Sequence, residues 1–217
     1  VTPSADAAVG AAYDERADEY IDVAGTLAQM DQRDRDTIAQ WRDTCSGPLL
    51  DAGCGPGLWA EFLARGGREV RGIDLSAAFI AAARAAHPQL RFDVGSFRAL
   101  PVEDGSLGGI LSWYSLIHTE PDEVPAVLAE FARALAPGGG LLLGFFDGPS
   151  RQGFDHRVAP AWFWTPATMS ELLADAGFEV TRTEVRGRDA AEISVRPHAA
   201  VAAVRSPSTR RERTLSP

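Results

Sequence analysis

The chain has 217 residues, 45% of them hydrophobic and 24% charged, with a net charge of −9. That length is enough for one domain with a sizeable core, and the acidic balance excludes a general basic surface for nucleic acid or for anionic membranes. All 21 basic residues are arginine, which excludes Schiff-base chemistry on lysine, and no run approaches the ~20 apolar residues of a membrane span.

The stretch from Val1 to Gly10 lacks a basic region followed by an apolar one, so no signal peptide is expected. Ala11 to Val23 carries Tyr13, Ala17, Tyr20 and Ile21 at helical spacing, with Tyr13 and Tyr20 two turns apart on one face. That pattern is either an amphipathic helix packed by two tyrosines or a lid over a ligand. Gly25 ends it, and a second helix is predicted from about Asp34 to Thr44, closed by Gly47-Pro48.

Leu49-Leu50-Asp51-Ala52-Gly53-Cys54-Gly55-Pro56-Gly57 then reads as a buried strand running into a tight turn. Leu58, Phe62 and Leu63 place a helix after it, ended by Gly66-Gly67. Strand, glycine turn and helix let backbone approach a nucleotide-like ligand, because glycine has no Cβ in the way. The spacing is GxGxG rather than the GxGxxG of a pyrophosphate-binding turn. Asp51, ahead of the first glycine, suits a ligand carrying positive charge. Two cysteines, Cys45 and Cys54, form neither a disulfide framework nor a metal knuckle and are expected as reduced thiols in the cytoplasm.

Glu69 to Ile73 is a predicted strand with Asp74 at its end, about 20 residues past the glycines, where a carboxylate can accept from both hydroxyls of a ribose. Ser76 caps a helix over Ala77 to Ala86, Leu90 to Val94 is a third strand, and Gly95-Ser96-Phe97 follows. Gly108 to Trp113 is a fourth strand. Tyr114 and His118 lie just beyond its C-terminal end, where open α/β sheets bind ligands. A helix from Val124 to Leu135, the turn Ala136-Pro137-Gly138-Gly139-Gly140 and a strand from Leu141 to Phe146 come next. The connection from Asp147 to Trp164 is long and carries His156, Arg157, Trp162, Phe163 and Trp164, either a functional loop or an aromatic cover on a core edge. Thr165 caps a helix from Pro166 to Ala176. A sixth strand is expected over Glu179 to Val185 and a seventh, antiparallel to it, over Glu192 to Arg196; residues 199–217 read as a flexible tail.

The glycine turn with Asp51, the acid Asp74 after the second strand, the Pro-Gly-Gly turn and Ala174-Asp175-Ala176-Gly177-Phe178-Glu179-Val180 occur in one order. Together they resemble the class I S-adenosylmethionine-dependent methyltransferases of small molecules, over roughly Leu49 to Arg196. The resemblance implies an α/β, Rossmann-like, doubly wound sheet of seven strands, mostly parallel, with an antiparallel C-terminal hairpin strand. It implies an N-terminal helical lid segment over 1–47, a cofactor-binding domain over 48–198 and S-adenosyl-L-methionine as cofactor. The expected cofactor contacts are Tyr20, Asp51, Gly53, Cys54, Gly55, Gly57, Asp74, Leu75, Ser96, Phe97 and Trp113. The family has an acid for the adenine amino group where this chain has Ser96, which puts that contact in doubt.

The expected reaction is O-, N- or C-methylation of a small-molecule acceptor, in secondary metabolism, by a monomer or homodimer that engages neither nucleic acid nor membrane. A hydroxyl acceptor would need a base, with His118 first and Tyr114 or His156 behind it. Nothing in the spacing of His, Asp and Glu calls for a metal. A cofactor-binding protein without catalysis, or a nicotinamide-dependent oxidoreductase, are the alternatives.

Overall fold

Four buried residues in a row, Leu49–Ala52, form strand β1. In the computed structural model, which describes residues 4–187 and 196–207, β1 lies between β2 (Val70–Asp74) and β4 (Leu107–Trp113), parallel to both. Beyond them lie β3 (Arg91–Val94) on one side and β5 (Leu135–Phe146) on the other, both parallel. A short hairpin, β6 (Gly153–Phe154) and β7 (Ala161–Trp162), stands apart. The last two strands are β8 (Phe178–Arg186) and β9 (His198–Arg205), and the seven-stranded order is β3-β2-β1-β4-β5-β9-β8. Only β9 runs against its neighbours. The predicted α/β architecture is therefore the observed one.

Alternation along the strands feeds two cores. Ile110, Leu141 and Leu143 face α6 (Val124–Ala134) and α7 (Pro166–Asp175), where Leu128, Phe131, Met169, Leu173 and Trp164 are buried. Leu111 and Leu142, one residue out of phase, join Ile38, Trp41, Leu63, Ile80 and Ala83. Those side chains come from α3 (Gln32–Thr44), α4 (Leu58–Ala64) and α5 (Ala77–Ala86). Residues 1–47 are thus not a lid throughout, because α3 is part of the flank of the sheet.

Several expectations are corrected. The single helix expected over Ala11 to Val23 is two, α1 (Ala5–Asp14) and α2 (Ala17–Ala24), broken at Arg16, whose φ of −122° and ψ of 16° leave the helical region. Tertiary contacts set the break: Asp14 Oδ1 accepts from Ser76 Oγ (2.6 Å) and from the Ala78 N–H (3.0 Å), pinning the end of α1 to the start of α5. The two tyrosines consequently sit on different helices, yet both rings rest on Phe79 at 5.6 and 5.2 Å. Strand β5 begins at Leu135 rather than Leu141, because the Pro-Gly-Gly segment stays in the sheet as an irregularity against Leu107 and Gly109. The 147–164 connection contains the β6–β7 hairpin and ends on fully buried Trp164.

The largest correction is at the C-terminal end. The seventh strand is His198–Arg205, not Glu192 to Arg196, of which 192–195 lie outside the described residues. Residues 199–205, expected as tail, are paired on both sides between β5 and β8. Alanine is depleted in strands generally, so His198-Ala-Ala-Val-Ala-Ala-Val reads weakly as one. Small side chains suit a strand that lies inside the sheet, and Val201 and Ala203 are buried. Residues 208–217 lie outside the described residues. Truncation after Pro197 is expected to abolish the cooperative unfolding transition seen by circular dichroism, since it unpairs β5 along seven residues, Gly140 to Phe146. A truncated chain with an unchanged melting curve would place β9 outside the fold.

Candidate functional site

At the C-terminal ends of β1, β2, β3 and β4 the chain leaves a crevice with a cavity volume of about 90 Å³, open to solvent on one side. Its floor is the turn after β1. The Gly53 and Cys54 N–H groups both donate to the Ile73 carbonyl, at 2.8 and 3.0 Å, which fastens the turn to β2. Asp74, at the end of β2, accepts from the Gly55 N–H through Oδ2 (2.8 Å) and from the Ser76 N–H through Oδ1 (2.9 Å). Burial pushes its carboxyl above the usual range, against the opposing pull of those N–H groups.

The glycines of the turn are there for different reasons. A Cβ on Gly53 would lie 2.2 Å from Ser115 Cβ, and one on Gly57 2.9 Å from the Phe92 ring, so both are required by packing. Gly55 lines the crevice, and a Cβ there would meet nothing closer than Phe79 at 4.0 Å. The space beside Gly55 is not filled by protein, and a ligand can lie directly on that backbone.

Of the expected cofactor residues, the structure brings Tyr20, Gly53, Gly55, Asp74, Leu75, Phe97 and Trp113 to the crevice wall. Cys54, Gly57, Asp51 and Ser96 are not on it. Cys54 is turned into the core, with Sγ 2.8 Å from where a Gly72 Cβ would stand. Asp51 is buried beneath the turn; its Oδ2 has no hydrogen-bond partner among the described residues, and burial followed by Asp74 pushes its carboxyl up to about 8. Such an acid is neutral at pH 7 and would ionise if a cationic group came near. Ser96 donates its Oγ–H to Asp6 (2.5 Å) instead of facing the crevice.

The expected catalytic residues separate in the same way. His118, only 9% exposed, lines the crevice. Its Nδ1–H donates to the Pro160 carbonyl (2.8 Å), so Nε2 accepts from the Tyr13 hydroxyl (2.8 Å). Burial lowers its pKa from the ordinary value, keeping the ring neutral. Burial, then Tyr20 and Asp74, push the Tyr13 phenol up, so it remains a donor. Tyr114 lines the crevice at a positive φ of 56°, but its hydroxyl is hydrogen-bonded to His198 Nδ1. His156 stands behind His118, ring centres 5.1 Å apart, off the crevice wall and with its pKa pushed down to about 4.

Tyr13, Asp6, Val9, Phe79, Arg98, Ser115 and Thr119 also line the crevice and were not among the expected site residues. Placing the first helix six residues too late concealed Asp6 and Val9. Tyr13 had a legible signal, its spacing from Tyr20, and only its role was missed.

A family model described as a methyltransferase domain matches residues 49–139, which span the turn, Asp74 and the β3 loop. Over that segment the chain is similar to S-adenosylmethionine-dependent methyltransferases. S-adenosyl-L-methionine is the cofactor that goes with that similarity. A probable S-adenosylmethionine-dependent methyltransferase of Mycolicibacterium smegmatis is 34% identical over 148 residues, 64% of this chain and 55% of the relative. A malonyl-[acyl-carrier protein] O-methyltransferase of Erwinia billingiae is 32% identical over 114 residues, 52% of this chain and 43% of the relative. The chain thus spans about half the length of these curated relatives. Among solved structures, the [4+2]-cyclase SpnF superposes with a TM-score of 0.79 at 20% identity, over 94% of this chain and 98% of that one. That likeness is of fold alone.

The cofactor fits the residues present. The space over Gly55 takes backbone-close contact, Asp74 offers acceptors for a ribose diol, and the orphaned Asp51 oxygen lies under the turn that a cationic amino acid moiety would approach. Gly55→Ala is expected to weaken S-adenosylhomocysteine binding by calorimetry while lowering stability by only about 1–2 kcal/mol, the left-handed cost. Gly53→Ala is expected to cost about 3 kcal/mol or more in chemical denaturation, because Ser115 must move. Equal stability losses with unchanged binding in Gly55→Ala would remove Gly55 from the ligand surface.

Proposed function

We propose that this chain catalyses transfer of the methyl group of S-adenosyl-L-methionine to a small-molecule acceptor. The carrying observation is the 2.8 Å bond from the Gly55 N–H to Asp74, which brings the bare turn of β1 and the acid of β2 to one crevice. The cofactor, when bound, supplies a methyl already activated by a positive sulfur. The protein's part is then mainly proximity and orientation.

Sheet order supports a division of the crevice into two ends. Asp74, Leu75 and Phe97, at or just past the ends of β2 and β3, take the nucleoside; Trp113, Tyr114 and His118, at or just past the end of β4 on the other side of β1, face the acceptor. Tyr13, Tyr20 and Phe79 close over the crevice as a lid from α1, α2 and α5, with Tyr13 and Tyr20 meeting edge to face at 6.1 Å. These aromatic walls suit a small, partly apolar or aromatic acceptor, with secondary metabolism as its setting. The free, buried thiols of Cys45 and Cys54 suit the cytoplasm. Among the described residues no helix is long and apolar enough to cross a membrane.

For a hydroxyl acceptor, the proton has a path. The acceptor gives its proton to the Tyr13 oxygen as Tyr13 passes its own to His118 Nε2, and the bond to Pro160 holds the ring in the required tautomer. Tyr114, with its hydroxyl engaged by His198, shapes the wall instead, and His156 packs against His118 rather than taking the proton.

Calorimetry with S-adenosylhomocysteine tests the binding, and appearance of the demethylated cofactor with an acceptor tests the transfer. On a hydroxyl acceptor, Tyr13→Phe and His118→Ala are each expected to lower kcat by about 10²-fold or more. Because burial lowers the His118 pKa, the base form persists below pH 6.5, so kcat should hold from neutral pH to below that value and fall only in more acid solution. Full turnover in both variants would remove the relay. The likeness to a cyclase keeps a second reading in view, a cofactor-binding protein that does not methylate; tight binding with no demethylated product from any acceptor would favour it.

A further inference from the structure

The nucleoside end of the crevice has an unusual composition. The loop after β3, Gly95-Ser96-Phe97-Arg98, carries no carboxylate. The acid at this end comes from the other side, from Asp6 in the first turn of α1. Asp6 Oδ2 accepts from Ser96 Oγ (2.5 Å) and Oδ1 from Arg98 Nε (2.7 Å), while Arg98 also pairs with Glu123 (2.8 Å). The loop after β3 thus holds a carboxylate of α1 at the crevice edge through Ser96 and Arg98, and Glu123 braces Arg98 in turn.

A purine amino group is a donor and needs an acceptor. A carboxylate has about four acceptor positions, and two of those on Asp6 are taken. Ser96 is spent as a donor to Asp6 through Oγ–H, and Arg98 offers only donors. Val9, Leu75 and Phe97 supply apolar surface in the wall of the same crevice, which Gly95 also lines. We propose that Asp6 is the residue that reads the adenine amino group of the cofactor, so that base selectivity resides on helix α1 rather than on the β3 loop. This rests on the reading of the crevice as a cofactor site. It also makes docking of α1, through Asp14 on the start of α5, part of cofactor recognition.

The test compares S-adenosylhomocysteine with S-inosylhomocysteine, which carries a carbonyl oxygen in place of the amino group, by calorimetry. The wild-type protein is expected to prefer the adenosyl form by about tenfold or more, the scale of a hydrogen bond to a charged group. Asp6→Asn, whose amide both donates and accepts, is expected to narrow the preference to about threefold or less. In that background Ser96→Asp, which returns a carboxylate to the loop, is expected to restore it. Ser96→Ala removes one brace of Asp6 but keeps its carboxylate, and should retain the preference.

An Asp6→Asn protein that binds S-adenosylhomocysteine with the wild-type preference overturns the proposal and leaves the cofactor reading standing. Equal loss in Asp6→Asn and Ser96→Ala, with no change in the ratio of the two ligands, makes Asp6 a structural latch and also overturns it. Wild-type protein that binds neither ligand overturns both readings. Should Asp6→Asn fail to fold, a wild-type protein that shows no preference between the two ligands is sufficient to refute the assignment.

Discussion

The crevice depends on a half-buried carboxylate that the backbone holds in place. Asp74 ends the parallel strand β2, between β3 and β1, and its two oxygens are held by the backbone N–H groups of Gly55 and Ser76. One of those groups belongs to the turn after β1, the other to the start of α5. The bond therefore fixes the turn, the strand end and the helix start relative to one another. Desolvation works against the charge and the N–H groups work for it. A ribose diol would add two further donors to this carboxylate and so favour its charged form.

The electrostatics of the rest of the site follow from the same burial. Asp51 lies under the turn, close enough to Asp74 that both cannot easily be charged, and its carboxyl is pushed up to about 8. Tyr13 and Tyr20 are held in their neutral forms by burial, and His118 is held neutral for the same reason. The described crevice thus combines acids poised to meet a cation with a neutral base behind a phenol. That combination suits a sulfonium donor and a hydroxyl acceptor better than it suits pyrophosphate, which would need donors and positive charge along the turn.

Tertiary contacts decided how the lid is assembled. The helical spacing of Tyr13 and Tyr20 is legible, and their common target is Phe79 as a single face would require. Yet they reach it from two helices, because Asp14 is drawn away to cap α5 and the chain breaks at Arg16. With its end pinned to α5 by Asp14, α1 places Asp6 against the β3 loop. Ser96 and Asp6 are ninety residues apart, and nothing local to either position indicates the pairing.

The sequence by itself determined the sheet, the turn and the acid after the second strand. Apolar runs of strand length, helix caps such as Ser76 and Thr165, and glycines at the ends of elements are local signals, and β1 to β4 and α4 to α7 stand within one residue of where those signals put them. It could not determine which expected side chains face the ligand. Cys54, Gly57 and Ser96 turn away from the crevice because of neighbours from distant elements, and His156 stands off its wall. Nor could it place β9, whose alanines carry little strand preference and become a strand only where β5 and β8 offer unpaired backbone on both sides. Periodicity and turn chemistry act over a few residues and can be read along the chain; orientation and pairing arise only when remote segments compete for the same space and the same hydrogen bonds.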